Sequence, residues 1–142
     1  MTVARIINQK GADIVTVRSN TTVAESVQLL TKHNIGTVVV SDDGVSVAGI
    51  LSERDIIHGL SESGPALLKQ PISKIMTREV ETCSPQDTTV SLLARMTKQR
   101  TRHIPVVEDG QLTGIVSIGD VVKLRLDDLA TDNEAMRDYI TH

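Results

Sequence analysis

The chain has 142 residues, 39% of them hydrophobic and 23% charged, a balance typical of a folded globular protein. The net charge of −3 argues against binding to duplex nucleic acid, and one Tyr with no Phe or Trp leaves no platform on which single-stranded bases could stack. No stretch approaches 18 uncharged apolar residues, so the sequence predicts neither a signal peptide nor a membrane span.

The first half of the chain predicts the element order β-α-β-β-α. Val23, Val27 and Leu30 follow the i, i+4, i+7 spacing of one helix face. An Asp-Gly pair at residues 43–44 lies between two β-rich runs, which is a hairpin signal. The elements are a strand over 14–17, a helix from Val23, strands over 37–41 and 47–51, and a helix that opens at Ser52.

The second half repeats the first with an offset of 65 to 67 residues. Thr-Thr-Val at residues 21–23 recurs at 88–90, and Gly-x-x-Ser-x-x-Asp at 49–55 recurs at 114–120. The predicted elements are a strand over 80–83, a helix carrying Leu92, Leu93 and Met96, strands over 103–107 and 112–116, and a helix that opens at Ser117. The sequence is therefore a tandem duplication.

Residues 61–77 connect the two copies and contain the breakers Gly64, Pro65 and Pro71, with a short helix predicted over 66–69. Neither copy has enough apolar side chains for a comfortable core of its own. We therefore expect an α/β (α+β) fold in which two β-α-β-β-α repeats pack as one pseudo-two-fold module. The expected divisions are repeat one at 8–63, repeat two at 72–128 and a helical tail at 129–142.

Over about residues 3–125 this pattern resembles a pair of CBS domains, also called a Bateman module. The resemblance rests on the repeat order, the two Gly-x-x-Ser-x-x-Asp motifs, the Arg-His-Ile-Pro-Val-Val run at 102–107, and Met76-Thr77 before the second copy. It implies a stand-alone bacterial type of protein that binds adenosine-containing ligands between its repeats and regulates other proteins.

Ser52-x-x-Asp55 and Ser117-x-x-Asp120 each precede an apolar run and allow two interpretations. One is a capping box, although Asp is shorter than the Glu or Gln that such a box prefers and is expected to close it less well. The other is a ligand site, because a helix N-terminus offers N–H groups to a phosphate and a carboxylate one turn inside can accept both ribose hydroxyls. The resemblance favours the ligand site, with Asp on the ribose and Ser facing the phosphate.

Arg100, Arg102 and His103 form the strongest basic cluster of the chain, for which a solvated surface is the simplest interpretation. The resemblance instead implies that Arg102 and His103 reach the phosphates of a nucleotide at the Asp55 site. Gly36 and Thr37, at the matching positions of copy one, carry no charge, so the Asp120 site lacks this pair and would borrow Arg54 or Lys10.

Aliphatic surfaces must hold the adenine, since Phe and Trp are absent. The segments entering each copy supply them: Thr77 and Val80 for the Asp55 site, and Gly11 and Ile14 for the Asp120 site. The full set of expected ligand-binding residues is Gly11, Ile14, Gly36, Thr37, Ser52, Arg54, Asp55, Thr77, Val80, Arg102, His103, Pro105, Ser117, Ile118 and Asp120.

The sequence contains no pattern that predicts an enzyme. The four histidines show no metal-ligand spacing with Cys83 or with each other, and neither a Gly-x-Ser-x-Gly elbow nor a Walker loop is present. We expect no catalytic residue, no metal and no catalytic cofactor. The single Cys83 is interpreted as a small inert strand residue in a reducing cytoplasm.

The end of the chain carries a heptad-like pattern. Its apolar positions are spaced 4, 3, 4, 3 and 4 residues apart, with Asn133 as the one polar member: Val122, Leu126, Leu129, Asn133, Met136 and Ile140. The pattern fits a helix that lies on its own module, or a helix that pairs across a homodimer.

The sequence therefore predicts a non-catalytic, energy-sensing regulatory module that binds AMP, ATP, NAD(H) or S-adenosylmethionine and signals to an unidentified protein target. A homodimer is expected, and neither nucleic acid nor membrane is an expected partner. The alternative is a structural dimerisation or interaction module without a small-molecule ligand.

Overall fold

The computed structural model of the protein describes residues 1–11 and 14–141, and these form five α-helices, two short 3₁₀ helices and two small sheets. The first half contains α1 (Val3–Lys10), β1 (Thr16–Val17), α2 (Val23–His33), β2 (Thr37–Val40), β3 (Gly49–Ser52) and α3 (Glu53–Ser63). The connector contains 3₁₀ helices at Gly64–Lys69 and Ile72–Lys74. The second half contains α4 (Thr89–Gln99), β4 (His103–Glu108), β5 (Gln111–Ser117) and α5 (Ile118–Thr141).

Each half has one antiparallel hairpin at its centre. In the first, β2 pairs with β3, and β1 adds to β2 in parallel. In the second, β4 pairs with β5 through a two-residue turn in which Asp109 and Gly110 both have positive φ, as a type I′ turn requires. The first hairpin has a longer loop, in which the carboxylate of Asp43 accepts hydrogen bonds from the N–H groups of Val45 and Ser46.

The predicted strand over residues 80–83 is wrong. Only Cys83 pairs with β4, through a single parallel bridge to Val106. The extended run stops there because Pro85 follows and the backbone turns at once, with the Ser84 N–H donating to the Asp87 carboxylate. The strand predicted over 14–17 shrinks in the same way to the two residues of β1.

The second helix of each half begins where the sequence predicted it, and so does α2. The Thr22 hydroxyl accepts from the Glu25 N–H while the Glu25 carboxylate accepts from the Thr22 N–H, which satisfies two backbone donors at the start of α2. Thr88 caps α4 through the Ser91 N–H. These local signals fix the helix starts independently of the core.

Each half has its own apolar core, but each core is completed by a segment from outside its own repeat. The second core contains Val3 and Ile6 of α1, 0% and 3% exposed, although α1 precedes the first repeat. The first core contains Ile72, 0% exposed, from the 3₁₀ turn with which the second repeat begins. The leading segments of the two repeats are therefore exchanged, and the sequence did not predict α1.

Backbone hydrogen bonds hold the exchanged segments in place. The N–H groups of Val3 and Ala4 donate to carbonyls of Asp87 and Pro85, and in the first half the Ile72 N–H donates to the Thr21 carbonyl. Isolated bridges Thr2↔Thr88 and Thr22↔Pro71 mark the same two junctions. The match between them supports the expected pseudo-two-fold relation.

A glycine lies under each exchanged segment. A Cβ on Gly49 would stand 2.6 Å from the Thr77 carbonyl oxygen, and one on Gly114 would stand 2.5 Å from Ile7 Cδ1. Both contacts are too close for a real side chain. The two contacts differ in which atoms would have to move to make room for a Cβ. At Gly49 the obstacle is the backbone oxygen of Thr77, and at Gly114 it is the end of the flexible Ile7 side chain.

Replacing these two glycines tests the exchanged packing. We expect Gly49→Ala to lower the free energy of unfolding by about 1–3 kcal/mol, as overpacking a tight contact does, and Gly114→Ala to lower it less because Ile7 can change rotamer. Urea denaturation of both variants measures the difference. Equal losses, or a larger loss for Gly114→Ala, would contradict the packing described for Thr77.

Candidate functional site

The two Ser-x-x-Asp motifs form closed capping boxes at the starts of α3 and α5. Ser52 N–H donates to Asp55 Oδ2 at 2.9 Å, and Asp55 N–H donates to Ser52 Oγ at 3.2 Å. The corresponding distances for Ser117 and Asp120 are 2.9 and 3.1 Å. The expectation that Asp closes this box poorly is therefore wrong, because the carboxylate reaches its own cap with one oxygen and keeps the other available.

A cavity of about 510 Å³ opens beside the first of these helix starts and lies between the two halves. Its volume is in the range of small-molecule sites, about 300–1,000 Å³. Residues from β2, β3, the start of α3, the connector and the α4–β4 junction line it: Gly36, Thr37, Ile50, Ser52, Glu53, Arg54, Asp55, Thr77, Glu79, Val80, Glu81, Gln99, Arg100, Thr101, Arg102 and His103.

The cavity gathers most of the residues that the sequence assigned to the Asp55 site. Ser52, Asp55 and Arg54 come from the first repeat, and Arg102 and His103 come from the second. Helix α4 delivers the basic residues, since it ends at Gln99 and its C-cap residue, Arg100, has a φ of +54° that turns the chain toward β4. The fold thus brings together side chains that lie about 50 residues apart in the chain.

Thr77, the last residue of the connector, and Val80, three residues later, line the same cavity. Thr77 Oγ lies 3.4 Å from Asp55 Oδ1, a weak contact that leaves this oxygen able to accept a stronger donor. Thr77 also forms a bridge with Ile50 of β3, and its N–H and carbonyl bind the Ile50 backbone at 2.9 Å. The connector is therefore fixed against the carboxylate by backbone bonds.

The structure corrects the placement of Gly36 and Thr37. The sequence matched them to the Asp120 site, whereas both line the Asp55 cavity. The hairpin register pairs Thr37 with Ser52 of the same repeat, as it pairs His103 with Ser117 in the second repeat. The Gly36 carbonyl also accepts from the Glu53 N–H at the start of α3.

Pro105 does not line the cavity. It is buried within β4, opposite Ile115, and its carbonyl accepts the Cys83 N–H at 2.9 Å. Pro105 is part of the sequence motif because it lies on β4, the strand that carries Arg102 and His103 to the cavity edge.

Seven lining residues were not assigned by the sequence: Ile50, Glu53, Glu79, Glu81, Gln99, Arg100 and Thr101. Arg100 belongs to the basic cluster already noticed, so that cluster was a usable signal. Glu81 comes from the segment that was expected to be a strand, and Glu79 directly precedes that segment. Four carboxylates and three guanidiniums therefore line this cavity.

His103 is half-buried and lies near charges from both halves of the molecule. Burial lowers its pKa below the usual 6.5, and the cations Lys10 and Arg102 lower it further, against the opposite effect of Asp120. The imidazole is therefore neutral at pH 7. It serves as a hydrogen-bonding group there, and it becomes a cation only in more acidic solution or beside a new negative charge.

The start of α5 has different neighbours from the start of α3. Lys10, the last residue of α1, donates from Nζ to Asp120 Oδ2 at 2.8 Å and to the Ile115 carbonyl at 3.0 Å. Burial alone would raise the pKa of Asp120, but the bonds from Lys10 and from the Ser117 N–H outweigh it and lower the pKa below 3.8. The sequence offered Arg54 or Lys10 as the cation at the Asp120 end. The structure places Lys10 there, whereas Arg54 lines the Asp55 cavity.

The remaining residues assigned to the Asp120 end are Gly11, Ile14 and Ile118. Gly11 ends α1 with a φ of +89°, Ile14 is half-buried, and Ile118 is the first residue of α5 and 39% exposed. Residues 12–13, between Gly11 and Ile14, lie outside the described part of the chain.

Cys83 is buried, and burial raises the pKa of its thiol to about 11, which keeps it protonated and inert. Across residues 1–11 and 14–141, no group of three or more His, Cys, Asp or Glu side chains could hold a metal ion. Within that same part of the chain, no helix combines the length and apolar character needed to cross a bilayer.

Comparison with solved structures identifies the same architecture. A CBS-domain protein from Agrobacterium tumefaciens, ATU1752, is 45% identical with a TM-score of 0.84, over 88% of this chain and 99% of that chain. The CBS domain pair of protein MJ0100, crystallised with 5′-methylthioadenosine and S-adenosyl-L-methionine, is 29% identical with a TM-score of 0.77, over 87% of this chain and 98% of that one.

Among curated sequences, the mitochondrial CBS domain-containing protein CBSX3 of Arabidopsis thaliana is 34% identical over 123 residues. The match covers 84% of this chain and 60% of CBSX3, so the chain spans less than two thirds of that relative. The family model of the CBS domain matches twice, at residues 3–62 and 72–127. With two exchanged, capped repeats around one cavity, the chain belongs to the CBS domain family as a tandem pair.

Proposed function

We propose that this protein is a non-catalytic regulatory module that binds an adenine nucleotide in the Asp55 cavity and signals its occupancy to a protein partner. The observation that carries the proposal is the meeting, in one cavity, of a capped helix start from the first repeat and a basic strand end from the second. The complex of MJ0100 with two adenosine compounds supports the ligand class. AMP, ATP, NAD(H) and S-adenosylmethionine are the candidates.

The chemistry of the cavity suits a ribose and a phosphate. Asp55 Oδ1 has only the 3.4 Å contact with Thr77 and can accept hydroxyl donors, while Asp55 Oδ2 stays on its cap. Arg102 and the N-terminus of α3 offer N–H donors to a phosphate. Ile50 and Val80 supply aliphatic surface for the adenine.

The charge of the lining favours a ligand with few phosphates. Four carboxylates share the cavity with three guanidiniums, and His103 is neutral at pH 7. A triphosphate would place its charges near Glu53 and Glu79 as well as near the arginines. We therefore expect AMP to bind better than ATP.

The part of α5 that extends beyond the module supports the proposed homodimer. From residue 129 to residue 140 every position of α5 is exposed, although isolated helices of this length are marginal in water. The exposed apolar positions keep the heptad spacing, with Leu129 49%, Met136 61% and Ile140 75% exposed. Parallel pairing of two α5 helices would cover this stripe and place Asn133 against its counterpart, fixing the register.

The same stripe supports the second candidate function, a dimerisation module without a small-molecule ligand. For both functions we propose a reducing compartment such as the cytoplasm, which the single free and buried thiol of Cys83 supports. They differ in one respect, since only the first requires a nucleotide to bind.

Calorimetry and thermal melting with AMP test the proposed function. AMP at 100 times its dissociation constant should add about 2.7 kcal/mol of stability. Asp55→Ala should abolish the heat of binding, whereas Ser91→Ala, which changes an exposed helix residue outside the cavity, should leave it unchanged. If AMP, ATP, NAD(H) and S-adenosylmethionine all give no heat of binding and no melting shift, the proposal is rejected and the dimerisation module without a ligand remains.

The phosphate assignment has a separate readout. A charge-assisted hydrogen bond contributes about 1.5–3 kcal/mol, so Arg102→Ala should weaken AMP by at least tenfold and adenosine much less. Comparing the two ligands on the same variant removes any general effect on the cavity. Equal losses for AMP and adenosine would show that Arg102 shapes the strand end and does not meet the phosphate.

Acid should strengthen phosphate binding through His103. Its pKa is lowered in the free protein, and a bound phosphate would raise it, so AMP binding should take up protons as the pH falls below 7. Calorimetry in buffers of different ionisation enthalpy measures the uptake. Since AMP itself titrates near pH 6, the quantity to compare is wild type minus His103→Gln, and a difference of zero would contradict the proposal.

Sedimentation at micromolar concentration should give about twice the chain mass. Replacing Leu129 and Met136 together by Lys should produce monomers, because both lie on the apolar stripe. Replacing Thr131 and Ala135 by Lys adds the same charge at positions off the stripe and should leave the dimer intact. A dimer that survives the first pair of substitutions uses another surface.

A further inference from the structure

Arg100 has a backbone conformation that arginine seldom adopts. As the C-cap of α4 it has a φ of +54° and a ψ of +38°, in the left-handed region where the Cβ of an L-residue crowds the following carbonyl oxygen. Glycine, and less often asparagine, is the usual residue at such a helix end. The matching C-cap of α2 follows that rule, since Asn34 has a φ of +52° and a ψ of +47°.

The two helix ends have the same backbone hydrogen bond and different surroundings. The Arg100 N–H donates to the Met96 carbonyl. The Asn34 N–H likewise donates to the Leu30 carbonyl. Asn34 lies on a groove between α2 and α3, whereas Arg100 lies on the Asp55 cavity. The turn itself therefore does not require an arginine.

The Arg100 guanidinium has no partner that would compete with a ligand. Four carboxylates line the same cavity, yet within residues 1–11 and 14–141 the Arg100 side chain makes no hydrogen bond or ion pair. Residues 99–103 all line the cavity, so Arg100 shares its wall with Arg102 and His103. A solvated arginine would explain the free side chain, but it gives no reason for an arginine at a left-handed position.

We propose that Arg100 is a phosphate-binding residue of the Asp55 cavity, and that the backbone strain at the end of α4 is retained for this contact. The proposal rests on the function proposed above and adds a second guanidinium to that of Arg102. Each guanidinium offers five N–H donors and forms charge-assisted hydrogen bonds, so two of them can hold different oxygens of one phosphate. Strained backbone is a recurrent feature of ligand sites, where the contact it provides compensates for its cost.

The variant Arg100→Gly tests both parts of the proposal, because they predict changes of opposite sign. Glycine relieves the left-handed strain, so the free variant should melt at a higher temperature than wild type. The variant also lacks the guanidinium, so AMP should bind about tenfold more weakly, while adenosine, which has no phosphate, should bind as before. Thermal melting without ligand and calorimetry with AMP and adenosine measure these quantities.

Two control variants separate the contact from the turn and from the net charge. Asn34→Gly places glycine at the matching helix end, on the other groove, and should leave AMP binding unchanged. Lys98→Met removes a positive charge from an exposed position of α4 that does not line the cavity, and should also leave it unchanged. A loss of AMP affinity in either control as large as that in Arg100→Gly would overturn the assignment.

This contact and the proposed function can fail separately. If wild type binds none of AMP, ATP, NAD(H) and S-adenosylmethionine, the function is rejected and the contact with it. If wild type binds AMP and Arg100→Gly binds it equally well, or loses AMP and adenosine alike, only the role of Arg100 is rejected. A lower melting temperature in Arg100→Gly would show that the arginine stabilises the helix end, and would overturn the account of the strain.

Discussion

The exchange of leading segments between the repeats is the constraint on which the rest of this structure depends. Val3 and Ile6 close the core of the second repeat, and Ile72 closes the core of the first. A core that lacks one of its fully buried aliphatic residues loses roughly 2–5 kcal/mol, a large share of the stability of a small domain. Each repeat therefore depends on chain that belongs to the other.

The exchange also builds the functional site. The connector that carries Ile72 into the first core continues directly to Thr77, which lies against Asp55, and then to Val80 in the same cavity. At the other end of the molecule α1 continues from Ile6 to Lys10, which lies against Asp120. One topological feature thus places a hydroxyl beside one carboxylate and an ammonium beside the other. The backbones of the two repeats therefore follow the pseudo-two-fold relation, whereas the groups beside Asp55 and Asp120 differ.

Local signals made much of this predictable from the sequence. Capping residues, Asp-Gly turns and 3.6-residue periodicity act over a few residues, so the helices from Thr22, Ser52, Thr88 and Ser117 and both hairpins could be predicted directly. The pairing of Arg102 with the Asp55 site came from the family resemblance, which carries long-range information that a single sequence lacks.

What the sequence did not predict depends on contacts between distant residues. Helix α1 is stabilised by the second core, more than 80 residues later, and its eight residues are too few to signal a helix on their own. The repeat alignment matched Gly36 and Thr37 to the Asp120 end, whereas both line the Asp55 cavity, where Thr37 pairs with Ser52. The strand over 80–83 failed for the same kind of reason, since one bridge to β4 was all that its surroundings offered.

The buried position of α1 has a consequence for the order in which the molecule can be completed during synthesis. Its residues leave the ribosome before those of the second repeat, yet Val3 finds its carbonyl partner only at Asp87 and its core partners as late as Leu124. Closing so long a loop is slow compared with forming the local hairpins and helices. Helix α1 is thus buried only after the second repeat has been synthesised, and until then its apolar residues are exposed to any chaperone or neighbouring chain.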